Sequence, residues 1–261
     1  MKYFTLAAKT AQIYLNKELA YKANFIIMMC GMVINDLIGP MLALIIYGTT
    51  VGIPGWTFDQ FLLFQGTLIF VYGVGRALTG DFFWKAFEAI NRGEFDKYLL
   101  KPYNSWLYLM AMGIDWNGFF EAILGAGIII YTMTKLHISA LSLGFAMYLV
   151  LMGAGVLFQF AVITLITAGS FIAVKNESLV ILYMKLADFA RYPLTVYGVG
   201  LQFALTFLFP VAVSSFYPVE ALLRGMTPLG MAGVIMPVVV LFVLALWAWH
   251  STIRKYTSAG G

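Results

Sequence analysis

Three stretches of the chain carry no Asp, Glu, Lys or Arg: residues 136–174, 192–219 and 225–253. A transmembrane helix needs roughly 20 mainly apolar residues, so each run is long enough to span a bilayer. Three further apolar runs precede them. Together they predict six spans, at about 23–48, 58–78, 116–134, 142–173, 194–214 and 228–251.

The polar intervals are patterned too. In residues 1–22, Lys2, Lys9, Gln12 and Asn16 share one helical stripe, and Phe4, Ala7, Ala11 and Tyr14 share the opposite one. That periodicity predicts a helix lying in the membrane interface. In residues 80–104, Asp81, Lys85, Glu88 and Arg92 recur at helical spacing, and Asp81–Lys85 and Glu88–Arg92 are i,i+4 pairs with the acid first. Phe83, Phe87 and Ile90 take the other face. An amphipathic helix over 80–92 follows. Gly93 ends it, residues 94–100 form a second short turn, and Pro102 stops that turn. Residues 175–191 mix charges with Leu179, Leu182, Leu186 and Phe189, a pattern suited to lying along the same face. Glu220 and Arg224, bracketed by Pro218 and Pro228, predict a short external or re-entrant helix.

Composition fixes the class. Of 261 residues, 62% are hydrophobic and 11% charged, whereas soluble domains run about 45–50% apolar and about 25% charged. The expected fold is an all-α integral membrane protein in one transmembrane domain. Six spans put both termini on one side. That side collects Lys2, Lys9, Lys17, Lys22, Arg76, Lys85, Arg92, Lys97, Lys101, Lys175, Lys185, Arg191, Arg254 and Lys255, leaving Lys135 and Arg224 opposite. The positive-inside rule makes the basic side cytoplasmic. The net charge of +4 lies between spans rather than on a soluble face, so it marks orientation and implies no nucleic-acid partner. Cys30 is the one cysteine, which excludes an internal disulfide.

Motifs for soluble chemistry are missing. There is no phosphate-binding G-x-x-x-x-G-K-[ST], no G-x-S-x-G elbow and no metal-ligand spacing among the two histidines and the cysteine. No catalytic residue and no metal site are expected. Ionisable groups inside spans are functional candidates by default. Asp36, with Asn35 before it, falls near the middle of the first span. It either lines a translocation path or is held between packed helices. Asp115, Asn117 and Glu121 open the third span, within reach of Arg76, and Gln159 offers an interhelical hydrogen bond.

The stretch G-E-F-D-K-Y-L-L-K-P-Y-N at residues 93–104 resembles the G-x-[LF]-D-x-[YL]-L-[LI]-[KR]-P-x-N stretch of type-2 ABC transporter permeases of the export class. R-Y-P-L-T-V-Y at 191–197 and L-T-F-L-F-P-V-A-V-S-S-F-Y-P-V-E-A-L-L-R-G at 205–225 resemble two later stretches, in the same order. Phe171-Ile172 departs from the Phe-Trp of many members. The resemblance implies a permease subunit in the cell membrane that exports a substrate and pairs with a second permease, as a homo- or heterodimer. It implies no cofactor on this chain, with ATP and magnesium held by a separate ATPase subunit. The segment 80–104 becomes a pair of cytoplasmic coupling helices, with Glu88, Arg92, Gly93, Glu94, Asp96, Lys97 and Pro102 as ATPase-coupling residues and Asn35 and Asp36 as the candidate path. An ion- or proton-coupled secondary transporter at Asp36 and a membrane-embedded lipid-acting enzyme are the alternatives.

Overall fold

The computed structural model describes the backbone of residues 2–172 and 177–256, and their side chains except at residues 2–4, 17 and 18. The expectations placed on the side chains of Lys2, Phe4 and Lys17, and on Ala173 and Lys175, lie outside the described residues. Among those described there is no strand. The helices are α1 (Lys2–Ala20), α2 (Lys22–Thr49), α3 (Phe58–Thr79), α4 (Phe82–Asn91), α5 (Asp96–Leu99), α6 (Ser105–Met112), α7 (Trp116–Lys135), α8 (Leu143–Gly169), α9 (Glu177–Ala187), α10 (Val199–Phe203), α11 (Phe216–Arg224) and α12 (Pro228–Ile253). Five are long and apolar enough to cross a membrane: α2, α3 continued by α4, α7, α8 and α12.

Helix α3 lies at the centre. Thr57 opens it with a capping box, its hydroxyl accepting from the Gln60 amide while the Gln60 side chain accepts from the Thr57 amide. Most of its residues from Phe61 onward are buried. Its tightest neighbour is α7, which runs antiparallel to it. Glycines alternate across this contact. Gly66 faces Ile128, Gly73 faces the Ala122 backbone, Gly118 faces the Ala77 backbone and Gly125 faces Phe70. A Cβ on Gly66 would sit 2.7 Å from the Ile128 Cγ2, and one on Gly73 or Gly118 would overlap the facing main chain. Small residues let helices approach this closely in a membrane, where dispersion replaces the hydrophobic drive.

Helices α8 and α12 run parallel. Their starts line one apolar groove through Leu143 and Pro228, and at the far end Phe171, just beyond α8, meets Trp249 with ring centroids 5.4 Å apart. The chain between them must therefore travel back the length of the bundle. It does so in pieces. Helix α9 leads away from the α4 end. The Ala187 carbonyl accepts from the Tyr72 hydroxyl (3.2 Å), and the Arg191 carbonyl accepts from the Gln65 side-chain amide (2.8 Å). Tyr72 and Gln65 lie about 10 Å and about 21 Å along α3 from Thr79 at helical rise, so α9 enters the bundle. Residues 210–215 then pack at mid-height, where the Ser215 hydroxyl donates to the Ala190 carbonyl (2.9 Å). Helix α11 completes the path, and Arg224 at its end donates to the Gly55 carbonyl (2.7 Å) and stacks on Trp56.

Two expectations change here. The span at 194–214 is not one continuous helix: it divides into short 3-10, α and π turns interrupted at Gly198 and around Pro210. Proline removes an N–H and pushes its predecessor out of the helical region, which an apolarity count does not register. The described part of the segment expected along the bundle's face, 177–191, instead runs into the bundle, because the Ala187 and Arg191 carbonyls at its far end accept from Tyr72 and Gln65 of α3. Arg191 consequently sits beside the middle of α3 rather than in a loop. The predicted short helix around Glu220 and Arg224 is present as α11, with the two side chains 2.5 Å apart.

Substituting Gly73 with Leu should unfold the protein or lower its stability by more than about 3 kcal/mol, since overpacking against a fixed backbone exceeds the about 1–3 kcal/mol of ordinary core strain. Gly127→Ala and Gly153→Ala, where an added Cβ meets nothing within 4 Å, should melt like the wild type. Thermal melts of the purified protein in detergent separate these outcomes.

Candidate coupling segment and intramembrane polar cluster

The segment 80–104 folds as a helix, a sharp bend and a second short helix. In α4, Phe82, Phe83, Ala86, Phe87 and Ala89 are buried, while Glu88 and Asn91 and the following Arg92 are exposed. Helix α4 ends in a Schellman motif: the Gly93 amide donates to Ile90 (3.1 Å) and the Glu94 amide to Ala89 (2.8 Å). This needs the left-handed φ of +67° at Gly93, which glycine adopts without penalty. Two residues on, Phe95 is fully buried. Its ring packs on Phe171, Trp249 and Tyr256 beyond the ends of α8 and within and after α12, and its amide donates to the Tyr256 hydroxyl (3.1 Å). Phe95 thus pins the bend to two spans distant in sequence. Pro102 is exposed after α5, and Asn104 then caps α6, accepting from the Trp106 and Leu107 amides.

The charged residues expected to face a partner are at the surface, but most are already paired within the segment. Glu88 and Arg92 are 2.7 Å apart, Glu94 and Lys97 2.8 Å. Asp96 opens α5 and is half-buried. Exposed pairs of this kind contribute little to stability. The Lys97 hydrogen bond and charge hold the Glu94 carboxyl below its usual range, and Glu94 holds the Lys97 ammonium above its own. Beside these pairs the tip presents two apolar side chains, Leu99 at 44% and Leu100 at 84% exposure, followed by the exposed Lys101. On the other side of α4, Lys85 binds Asp81 (3.2 Å) and the Met112 carbonyl and lies over the Tyr14 ring of α1. The predicted apolar stripe of α1 is the packed one: Thr10 is buried, Ala7, Ala11 and Tyr14 are half-buried, and Ala11 accepts from the Trp116 indole (2.9 Å).

A second group of polar residues gathers where α2, α3, α7 and α8 meet, with Glu121 and Gln159 buried and Arg76 and Asn35 exposed. Arg76 in the last turn of α3 pairs with buried Glu121 of α7 (3.3 Å), the pairing the sequence pointed to. Asp36 is half-buried at mid-height of α2, its Oδ2 enclosed without a hydrogen bond, within electrostatic reach of Arg76 and Arg191. Pro40 lacks the N–H that would bond the Asp36 carbonyl. Asn35 faces a cavity of ≈ 320 Å³ that it shares with Tyr72, Arg76, Gln159 and Arg191. Gln159 donates to the Val71 carbonyl (2.8 Å), the interhelical bond expected of it. The structure thus brings Asn35 to a cavity and leaves Asp36 just behind it. Residues 88–102 are placed at the α4 end, apart from both. Phe95, Trp249, Tyr256 and Arg191 were not singled out beforehand. A Phe two residues after the glycine that ends a helix was the available signal for Phe95.

An all-helical bundle with five helices long and apolar enough to cross a membrane has the build of a multi-pass membrane protein. The sequence matches the family described as ABC-2 family transporter protein over residues 32–260, and the chain belongs to that family: it is an ABC transporter permease. No curated protein and no solved structure matches it.

Replacing Lys97 with Ala should raise the Glu94 titration toward the ordinary carboxylate range without changing the melting temperature, read by NMR of labelled glutamate. The pair's carboxylate contribution is present above that range and fades as pH falls through the lowered Glu94 value. Its lysine contribution fades as pH rises through the raised Lys97 value.

Proposed function

We infer that this permease is the membrane subunit of an ATP-driven exporter, that α4 and α5 are its coupling helices, and that a separate ATPase holding ATP and magnesium docks on them. The observation that carries this reading is the bend at Gly93 and Phe95. It exposes a short helix with an apolar tip while fixing its base to the ends of α8 and α12. A docking element must be both accessible to the partner and rigidly joined to the spans it moves, and this one is both. Because Glu88, Arg92, Glu94 and Lys97 neutralise one another, Leu99 and Leu100 supply the contact, with Asp96 and the paired charges as the polar rim.

The same reading takes the chain across the membrane in six crossings. Five are continuous helices, and the sixth is the discontinuous return through α9 and α11. Both termini and the α4 end are then cytoplasmic, as the lysine and arginine distribution requires even after Arg191 moves into the bundle. The location is the cell membrane, and a second permease chain, identical or homologous, completes the transporter. Asn35, beside Asp36, marks the path. Family membership favours this over the lipid-acting enzyme and the secondary transporter.

Two measurements test it. In a Cys30→Ala background, cysteines at Leu141 and Leu229, both highly exposed, should react with an impermeant thiol reagent in intact cells, and one at Asn91 should not. Labelling at Asn91 inverts the orientation. Interface hot spots are typically worth about 2 kcal/mol or more, so Leu99→Asp with Leu100→Asp should weaken ATPase association about thirtyfold. Glu94→Lys with Asp96→Lys should act in the same direction. Full co-purification and full stimulated ATP hydrolysis in both variants would remove the segment from the coupling role.

A further inference from the structure

The ≈ 320 Å³ cavity between α2, α3, α4, α8 and α9 is lined by two arginines, Arg76 and Arg191, whose side chains are partly exposed at its mouth. A guanidinium at membrane depth is costly and persists where acceptors satisfy it. Arg76 engages Glu121 through Nη1 alone, and Arg191 engages Asp188 through Nε alone (2.9 Å). Arginine carries five N–H donors, so both retain donors that no acceptor among the described residues takes, and both line the same cavity. The charged residues lining it are Arg76, Asp188 and Arg191, a net excess of one positive charge. Asp36 lies within the field of both arginines but does not line the cavity, and Glu121 is buried behind Arg76.

The remaining walls are of two kinds. Tyr72, Gln159 and Asn35 are polar and stand near the guanidiniums. Phe83, Trp84 and Met184 are apolar, and Trp84 and Met184 are about half exposed, at 49% and 57%. The cavity therefore opens at the flank of the bundle, on its α4 half, between exposed apolar side chains. Its volume is at the small end for ligand sites, enough for a head group and the first part of a chain, with the rest extending into lipid. Arginine binds carboxylate and phosphate through paired, charge-assisted hydrogen bonds.

We propose that this cavity is the entry site for an amphipathic anion, a carboxylate or phosphate head on an apolar tail, whose head is bound by the free donors of Arg76 and Arg191. The proposal rests on the permease reading for its sidedness: the tail lies in the cytoplasmic leaflet. It names a substrate class for a path that Asn35 alone leaves chemically undefined.

The test uses the full-length permease without ATPase, in phosphatidylcholine nanodiscs, with four photoactivatable probes. A diazirine fatty acid and its fatty alcohol form one arm, and a diazirine phosphatidate and its diacylglycerol form the other. Mass spectrometry should place adducts of an anionic probe on peptides containing Trp84 or Met184, at about tenfold the yield of its neutral counterpart. Arg191→Gln, whose partner Asp188 is half exposed, should keep the wild-type melting temperature and lose that excess. Arg76→Lys, which keeps the charge facing Glu121 and loses the fork, should reduce it severalfold. Excess labelling in the fatty-acid arm alone identifies a free amphiphile, in the phosphatidate arm alone a lipid, and either supports the proposal. Equal labelling by neutral and anionic probes, or an excess that survives Arg191→Gln, overturns it. Neither result touches ATPase docking, which co-purification reads separately.

Discussion

The rest of the structure depends on the main-chain contact between α3 and α7. Four glycines, two on each helix, remove the side chains that would hold the backbones apart. In lipid, apolar side chains gain little by meeting each other instead of acyl chains, so packing density decides association. The closeness has electrostatic consequences. It brings Arg76 against Glu121, so the buried carboxylate has a cation and the arginine has an anchor. It also fixes the loop that joins α6 to α7. The Asp115 amide donates to the Ala77 carbonyl and the Asp81 amide to Gly113, so α4 leaves α3 at a set position. The position of α4 is only as fixed as this junction.

Around that pair, the bundle is joined by side-chain amides and hydroxyls reaching main-chain carbonyls. Gln65, Tyr72 and Gln159 each bind a carbonyl of another segment. Two of those carbonyls, at Ala187 and Arg191, belong to the broken return, where helical hydrogen bonding lapses and free acceptors appear. Non-helical backbone at membrane depth is tolerated where protein or a cavity receives it. Here the same break creates the cavity and places Arg191 in it. Irregularity and polarity therefore coincide, a combination found where membrane proteins bind or conduct polar groups.

Much of this was legible in the sequence, and the failures have physical causes. The continuous spans were readable because apolar length suffices to define them. The amphipathic helix at 80–92 was readable because charge pairs and aromatics alternate at helical spacing, and Gly93 marked its end. Arg76 and Glu121 were readable as a pair. The 194–214 region misled because uniform apolarity says nothing about chain continuity, and Gly198 and Pro210 are common enough in spans to be passed over. The sequence shows the sign of the exposed charges in segment 80–104 but not that Glu94 meets Lys97, a pair three residues apart across the Gly93 bend. Phe95 and Tyr256 are 161 positions apart, and no local pattern links them.

The central claim is that the tip of α5 is where an ATPase touches this permease. Site-specific photocrosslinking in intact cells tests it without disturbing the fold. A photoreactive amino acid at Leu100 should yield an adduct identified by mass spectrometry as an ATP-binding subunit, with the crosslink falling in that subunit, and the same residue at Leu141 on the opposite end should yield none. Capture of that subunit from Leu141, or no capture from Leu100 while the two proteins co-purify, would contradict the account.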